Sequence, residues 1–404
     1  MRIVKIETVS SVPNGNGLLF CRVETDEGHI GHGETYYIPG AAAAVIHEWM
    51  ADRLLGANPL EIESHWRFLY ERALNFGGRG AELRALSAID LALWDILGQV
   101  AGLPVWQLLG GRVQSDIRIY NSSGGPGYGS AKVRGGSWPG YGAIGEKGPL
   151  NDYWRAVHEP EAYARELVNE GIGGAKMWTL DFAAHLPGGP SHLSQSDLQK
   201  GLEPFYRMRE AAGPDFELIL DGHGFFLLPA ALQIAEVLRG ARPLCLEDVI
   251  RPDCVDTIRD FRARSGTAIA ASEMFTTGEE FRLLLEKRAV DYVMIDPTWV
   301  GGITPTARIV DLARLYNLPV MMHDCTGPLS LLAGVQVGIA RGNVAWQETL
   351  RSHIRVQYPK WCDWAPVIHQ GRISAPQGPG LGATLDPALF CESCGLRTSL
   401  WNRN

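Results

Sequence analysis

The sequence lacks the features that mark membrane proteins and nucleic-acid-binding proteins. No segment stays apolar for the about 18 residues that a membrane span requires, and the first residues do not form an apolar core followed by a cleavage site. Acidic residues outnumber basic ones by 45 to 37, and no Lys/Arg-rich block could neutralise a run of phosphates. We therefore expect a cytoplasmic protein that binds neither membranes nor nucleic acids.

Cysteine is also scarce, with 7 scattered residues in a chain of 404. This odd and dispersed set does not predict a framework of disulfides. Cys391 and Cys394 have the spacing of half a zinc or redox motif, but no second pair and no neighbouring Cys/His cluster completes it. A chance occurrence is the favoured interpretation of this pair.

The composition that is present, with 46% hydrophobic residues, 47 Gly and 24 Pro, is typical of a globular protein rich in turns. Residues 2–35 alternate apolar and polar positions around two turns, which predicts a three-stranded antiparallel meander. Helical periodicity follows over residues 40–55, 61–75 and 81–101, with Gly98 and Gly102 ending the last helix. These elements predict an α+β capping domain over residues 1–116.

From residue 117 onward, short β-rich runs alternate with amphipathic helices, which predicts an α/β fold with a parallel sheet. The eight predicted strands are residues 117–120, 174–178, 217–221, 244–247, 268–272, 292–295, 320–323 and 344–347. Eight such units favour a TIM-type (β/α) barrel over residues 117–375, with chemistry at the carboxyl ends of its strands. Residues 376–404 are predicted to return to the capping domain.

A long Gly-rich segment, residues 122–157, interrupts the regular spacing after the first barrel strand. Loops of this length in compact domains usually have a function or are disordered. Four aromatic residues favour an ordered cover over the barrel mouth: Tyr128, Trp138, Tyr141 and Trp154. No βαβ fingerprint surrounds these glycines, so a dinucleotide site is not predicted.

Three carboxylates end three successive predicted strands: Asp221, Glu247 and Glu273, each 26 positions after the one before. One βα unit separates each pair, so the three side chains are expected to converge at the mouth. A single such residue is more often a helix cap, but the threefold coincidence favours ligands. Because three close anions repel one another, a hard divalent cation is predicted here, with Mg²⁺ the natural candidate.

Other barrel strands also end in polar residues that could take part in catalysis. Lys176, Asp296, His323 and Glu348 fall at the ends of the second, sixth, seventh and eighth strands. Taken singly, Asp296 would be interpreted as a turn residue, Glu348 as a surface or cap residue and His323 as a structural histidine. However, neighbouring strands bring Asp296 next to His323, and a carboxylate behind an imidazole orients it and raises its pKa. This pair is a candidate general base.

These residues resemble the mandelate racemase branch of the enolase superfamily from one end of the chain to the other. The resemblance includes the helix of residues 88–95, the segment 108–111 and the segment 296–303. It implies that the family's metal ligands correspond to Asp221, Glu247 and Glu273, and its His-Asp dyad to His323 and Asp296. The family's glutamate on the last strand, which contacts the substrate carboxylate, falls on Glu348. Relatives are commonly homo-oligomers, so the same is expected here.

Departures from the family pattern narrow the expected activity. The family's second strand often carries Lys-x-Lys, and its outer lysine is a second base. Here Trp178 stands in place of that outer lysine and only Lys176 is kept, so a racemase that needs two bases would lack one of them. His223 lies two residues after Asp221, and period-2 geometry predicts both side chains on the same side. Asp-x-His at this strand resembles galactonate and mannonate dehydratases, in which that histidine protonates a leaving hydroxyl. Val249, where the family usually has proline, has no interpretation.

The sequence therefore predicts a Mg²⁺-dependent acid-sugar dehydratase, a carbon–oxygen lyase that acts on a small aldonate or aldarate. His323, tuned by Asp296, would take the C2 proton, and His223 would protonate the departing 3-hydroxyl. Lys176 and Glu348 would complete the charge clamp on the substrate. The product would be a 2-keto-3-deoxy acid.

Several aspects stay open at this level. A racemase, epimerase or cycloisomerase could use the same scaffold, and a catalytically inactive metal-binding homologue is a further alternative. Trp178, Trp299, Phe225 and Trp346 are candidates to line the pocket, although aromatic residues at strand ends are as often barrel packing. Residues 13–18 and 36–39 are expected to make specificity contacts from the capping domain.

Overall fold

The N-terminal residues form an antiparallel meander in the computed structural model, which describes residues 1–15, 17–128 and 146–402. Its strands are β1 (Ile3–Val9), β2 (Leu18–Thr25) and β3 (Ile30–Tyr36). Neighbouring strands pair antiparallel in the order of the chain. The predicted meander is therefore confirmed.

Eight parallel strands form a closed barrel. They are β4 (Ile117–Ser122), β5 (Gly174–Met177), β6 (Glu217–Asp221), β7 (Cys245–Glu247), β8 (Ile269–Ala271), β9 (Tyr292–Ile295), β10 (Val320–Met322) and β11 (Val344–Thr349). Each pairs with the next, and β11 pairs with β4 to close the ring. The predicted (β/α) barrel with an N-terminal capping domain is confirmed, and no strand end differs from its predicted position by more than two residues.

The last part of the chain extends both sheets. A hairpin of β12 (Val367–His369) and β13 (Arg372–Ser374) attaches antiparallel to β4. The final strand, β14 (Leu396–Leu400), pairs antiparallel with β1. The domain boundaries at residues 116 and 375 stay predictions.

Helices cover the outside of the barrel and one face of the N-terminal sheet. The α-helices are Pro39–Val45, Ala51–Leu54, Ile62–Ala73, Ala81–Ala101, Val105–Leu108, Asp152–His158, Pro160–Asn169, Asp181–Ala184, Gln195–Ala212, Leu228–Leu238, Val255–Ser265, Gly278–Glu286, Ile303–Leu315, Pro328–Ala340 and Arg351–Val356. The predicted helix 40–55 contains a π-helical turn at Ile46–Met50. Within the described residues, no helix combines the length and apolar character needed to cross a membrane.

Two sequence predictions about helix positions are corrected. Gly98 does not end the long helix, which runs to Ala101 and is capped by Gly102 with φ +67°. Instead Gly98 lies against the backbone of Gly380, where a Cβ would approach to 2.4 Å. Part of the 122–157 segment is regular, because Asp152–His158 is a helix. The predicted contributions of Trp138 and Tyr141 lie outside the described residues.

The helix Ala81–Ala101 docks the capping domain onto the barrel through buried polar side chains. Asp90 accepts hydrogen bonds from the backbone N–H (3.0 Å) and the hydroxyl (2.6 Å) of Thr304. Asp95 accepts from the backbone N–H groups of His32 (3.0 Å) and Leu381 (2.8 Å). These acidic residues belong to the 88–95 segment that carried the family resemblance. Their role is to join the N-terminal sheet, the barrel and the C-terminal segment.

A buried ion network joins the helix Arg351–Val356, which follows β11, to the helix Asp152–His158. The Arg351 guanidinium binds both oxygens of Asp152 at 2.7 and 2.6 Å and also contacts Glu166 (2.8 Å) and Glu170 (2.9 Å). The side chains of Arg351 and Asp152 are 4% and 0% exposed. The pair is therefore shielded from water. In such a buried pair, the loss of one partner leaves the charge of the other uncompensated.

We expect Arg351→Met to lower the free energy of unfolding by about 3–5 kcal/mol, because Asp152 would stay buried without its partner. The matched control is Arg355→Met, since Arg355 also binds Glu170 (2.8 Å) but is 46% exposed. The control should lose no more than about 1 kcal/mol. Urea denaturation of both variants measures the difference, and equal losses would contradict a special role for the buried network.

Candidate active site

The three predicted metal ligands converge at the carboxyl end of the barrel. Asp221 and Glu247 are the last residues of β6 and β7, and Glu273 lies two residues after β8. One carboxylate oxygen from each lies within 4.8 Å of the others, and all three side chains are buried. The neighbouring parallel strands therefore bring together residues that are far apart in sequence.

Lys176, on β5, extends its ammonium group into this carboxylate cluster. Its Nζ lies 2.7 Å from Glu247 Oε1 and 2.8 Å from Glu348 Oε1. Asp221 and Glu273 oxygens lie farther away, at 3.4 and 3.8 Å. Burial lowers the pKa of Lys176, but the surrounding carboxylates raise it well above its usual value. The lysine is therefore a fixed positive charge beside the triad.

His323 forms the predicted pair with Asp296. Its Nδ1 lies 2.7 Å from Asp296 Oδ2, while its Nε2 lies 3.2 Å from Glu273 Oε2. Asp296 also accepts hydrogen bonds from the backbone N–H and hydroxyl of Thr298, both at 2.7 Å. The hydrogen bonds from Thr298 thus hold the Asp296 carboxylate in place. The carboxylate in turn fixes Nε2 as the ring nitrogen that points to the triad.

His223 forms a second pair with a carboxylate that sequence reasoning missed. Its Nδ1 lies 3.0 Å from Asp181 Oδ2, and its Nε2 lies 3.3 Å from Asp221 Oδ2. The predicted strand alternation does not account for this placement, because β6 ends at Asp221 and His223 has a left-handed backbone with φ +48°. The backbone N–H of His223 donates to Asp221 Oδ1 at 2.9 Å. A tight turn, rather than strand alternation, brings this imidazole to the triad.

The walls of the site also include Glu348, Trp178 and Trp299. Glu348 lies within β11 and accepts hydrogen bonds from the Tyr120 hydroxyl (3.3 Å) and the Asp324 backbone N–H (3.2 Å). Trp178 and Trp299 each pack edge-on against a histidine, with ring centroids 5.7 Å from His223 and 4.9 Å from His323.

Trp346 does not line the site. It packs with Tyr120 in a separate buried cluster formed by inward-facing residues of the barrel strands. Phe225 packs against His223, with ring centroids 5.9 Å apart.

The segment predicted to cover the mouth contacts Trp178. The rings of Tyr128 and Tyr153 lie 5.4 and 5.2 Å from Trp178. Trp154, which was predicted to share this role, packs instead against His158 with ring centroids 4.7 Å apart. The described ends of the segment therefore build an aromatic wall beside His223.

The capping domain contributes two residues that the sequence did not reveal. Glu34, fully buried on β3, accepts hydrogen bonds from the Leu329 backbone N–H (2.9 Å) and the Thr326 hydroxyl (3.3 Å). It thereby fixes the loop that follows His323. Arg84, from the helix Ala81–Ala101, stacks over Trp299 at 4.0 Å. No local signal marks either residue, since both act on partners more than 200 positions away.

The donor set at the triad fits a hard divalent cation. Three carboxylates supply the oxygen ligands that Mg²⁺ prefers. Among the described residues, Glu247 Oε2 is buried without a hydrogen-bond partner. Burial and the nearby Asp221, Glu348 and Glu273 raise the pKa of Glu247 well above its usual value, although Lys176 lowers it. A bound cation would satisfy this oxygen and offset the repulsion among the carboxylates.

Comparison with known proteins covers both domains of the chain. Residues 6–110 match the family described as mandelate racemase / muconate lactonizing enzyme, N-terminal domain, and residues 159–389 match the family described as enolase C-terminal domain-like. A D-galactonate dehydratase from Ralstonia pickettii is 29% identical, over 97% of this chain and 94% of the relative. A D-xylonate dehydratase from Haloferax volcanii is also 29% identical, over 91% of this chain and 83% of the relative.

A solved structure is also similar to this chain over both domains. A crystal structure of an enolase of the mandelate racemase subgroup from Agrobacterium tumefaciens is 32% identical to this chain. It covers 99% of both chains with a TM-score of 0.85. The similarity therefore extends over the capping domain as well as the barrel.

Proposed function

Because the chain belongs to the enolase superfamily, we propose that it is a Mg²⁺-dependent dehydratase that converts an aldonate or aldarate into a 2-keto-3-deoxy acid. One observation carries this proposal. Two imidazoles flank the triad, and each has a carboxylate on Nδ1 while its Nε2 faces a candidate metal ligand. Dehydration needs a base at C2 and an acid at the 3-hydroxyl, and two separately oriented histidines supply both.

The triad of Asp221, Glu247 and Glu273 would hold Mg²⁺. When bound, the ion would supply positive charge that stabilises the anion formed when a carbon next to a carboxylate loses its proton. Lys176 would add a second, fixed positive charge beside the carboxylate of the substrate. Glu348 Oε1 lies 2.8 Å from Lys176 Nζ and holds the lysine in place. These residues would therefore bind and orient the acid group.

His323 would remove the C2 proton through Nε2, while Asp296 on Nδ1 holds the ring and favours the imidazolium that results. His223 would then donate a proton to the 3-hydroxyl as water leaves, with Asp181 in the corresponding role. Trp178 stands where a racemase of this family carries its second base. One-sided proton removal followed by elimination is therefore favoured over racemisation.

Unpaired donors around the two histidines support a substrate rich in oxygen atoms. Among the described residues, Trp178 Nε1, Trp299 Nε1 and one terminal nitrogen of Arg84 are buried without hydrogen-bond partners. Buried donors without acceptors are costly, and the hydroxyls or second carboxylate of a sugar acid would satisfy them. The relatives named for D-galactonate and D-xylonate indicate the substrate class to test first.

A library of aldonic and aldaric acids tests the proposal. We expect at least one member to give a 2-keto acid with Mg²⁺ present, and none to react after chelation of the metal. Detection of 2-keto acids by semicarbazone absorbance measures the product. Epimerised substrate without any keto acid would favour the epimerase alternative. Absence of both reactions across the library, with Mg²⁺ present, would contradict the dehydratase proposal.

The pH dependence of kcat is expected to report the pairing of His223 with Asp181. Burial lowers the pKa of His223, but Asp221 and Asp181 raise it more, to about 9. An acid catalyst loses activity as the pH rises through its pKa. Asp181→Asn removes one raising charge, so the basic limb of the kcat profile should move to lower pH. Asp253→Asn, at a carboxylate 61% exposed, should leave that limb unmoved. An unshifted limb in Asp181→Asn would contradict the pairing.

A further inference from the structure

Two cysteines outside the active site lie close together in the C-terminal segment. The Sγ atoms of Cys391 and Cys394 are 3.5 Å apart, and neither forms a disulfide. The backbone N–H of Cys394 donates to Cys391 O at 3.0 Å, which closes a 3₁₀ turn at Glu392–Cys394. The local turn therefore places the two thiols side by side, so the spacing of Cys391 and Cys394 in the sequence has a structural consequence.

The two thiols differ in their exposure and in the direction in which their surroundings shift the pKa. Cys391 is half-buried, whereas Cys394 is 5% exposed. The Cys391 sulfur lies 3.1 Å from the Ser393 hydroxyl, and hydrogen bonds from Ser393 and Cys394 lower its pKa. Burial raises the pKa of Cys394. The accessible thiol is thus the better nucleophile, and the sheltered one stands next to it.

The turn is also held in place by the N-terminal sheet. The carbonyl oxygen of Cys394 accepts hydrogen bonds from the backbone N–H groups of Ser10 (3.1 Å) and Ser11 (3.0 Å). Gly395, with φ +69°, permits this close approach, because a Cβ there would lie 3.0 Å from the Ser10 hydroxyl. The backbone that carries the two thiols is therefore fixed before any reaction takes place.

We propose that Cys391 and Cys394 form a thiol–disulfide exchange site that takes small disulfides. The Cys391 thiolate attacks one sulfur of the small disulfide, which forms a mixed disulfide and releases one thiolate. Cys394 then loses its proton to solvent and attacks the Cys391 sulfur, which releases the second thiolate. The protein pair is oxidised to an intramolecular disulfide, and the small disulfide is reduced to two thiols, so that two electrons pass between them.

Cys254 offers an internal comparison. It is also half-buried, but its sulfur contacts the carboxylate of Asp253 at 3.5 Å. Burial and this hydrogen bond raise its pKa. Other cysteines, namely Cys21, Cys245, Cys325 and Cys362, are buried. Exposure alone therefore does not single out Cys391, whereas its neighbouring thiol and its environment do.

The test is incubation of the full-length protein with oxidised glutathione, followed by acid quenching, alkylation and peptide mass spectrometry. We expect the peptide with both cysteines to lose two hydrogens without a lasting adduct. Cys394→Ala should stop at a glutathione adduct on Cys391, and Cys391→Ser should give neither product. In the unmodified sequence, Cys391 should react at least about tenfold faster than Cys254.

Two results would overturn the proposal. One is a lasting glutathione adduct on Cys391 in the presence of Cys394, since the second thiol would then not complete the exchange. The other is equal reactivity of Cys391 and Cys254, which would reduce the pair to ordinary surface thiols. Cys254→Ser, the matched control, should form the intramolecular disulfide as the unmodified protein does.

Discussion

His323→Asn is expected to slow both proton removal and dehydration strongly. The asparagine keeps a polar group near Asp296 but cannot accept the C2 proton, and loss of a general base costs about 10²–10⁴-fold in rate. Since elimination follows proton removal, the exchange of C2–H for solvent deuterium and the formation of 2-keto acid should fall together. Proton NMR in D₂O measures the first reaction, and a keto-acid assay measures the second.

The matched control is His192→Asn, because His192 is an exposed histidine. It should retain both reactions at the original rate. Thermal unfolding of both variants separates a chemical effect from a loss of folded protein. Retention of deuterium exchange in His323→Asn would contradict its assignment as the base.

His223→Asn is expected to separate the two steps. Loss of the acid should lower the formation of 2-keto acid by about 10²–10⁴-fold. His323 and its partner Asp296 remain, so the C2 proton should still exchange with D₂O at a rate within a few-fold of the original. The same two assays give the result, and a substrate that exchanges without eliminating is its signature.

Two outcomes would contradict the role of His223. Undiminished dehydration in His223→Asn would show that the leaving hydroxyl takes its proton elsewhere. Loss of exchange and dehydration together, in a variant that unfolds at the original temperature, would assign His223 to the first step. His192→Asn again serves as the control.

The metal ligands and the His323 pair could be predicted because a barrel repeats one geometry. Residues at the carboxyl ends of successive strands must meet at the mouth. Asp221, Glu247 and Glu273 therefore converge as their even spacing indicated, and Asp296 meets His323 from the adjacent strand. In these cases the local pattern and the overall fold impose the same constraint.

Residues placed by turns or by domain docking could not be found in this way. Asp181 begins a short helix after β5 and meets His223, which has a left-handed backbone in the turn after β6. Glu34 and Arg84 reach the barrel across the interface between the domains. Their contacts depend on how two separately formed units pack, which no periodicity in the sequence encodes. The homo-oligomeric state stays a prediction.

We propose that Asp221, Glu247 and Glu273 bind one cation between the imidazoles of His223 and His323. Crystals grown with Mn²⁺ in place of Mg²⁺ test it most directly, through anomalous scattering. We predict a peak at coordination distance from one oxygen of each carboxylate, with both Nε2 atoms facing the ligand position beside it. A peak elsewhere, or imidazoles turned away from an ion at the triad, would contradict this assignment of the metal ligands.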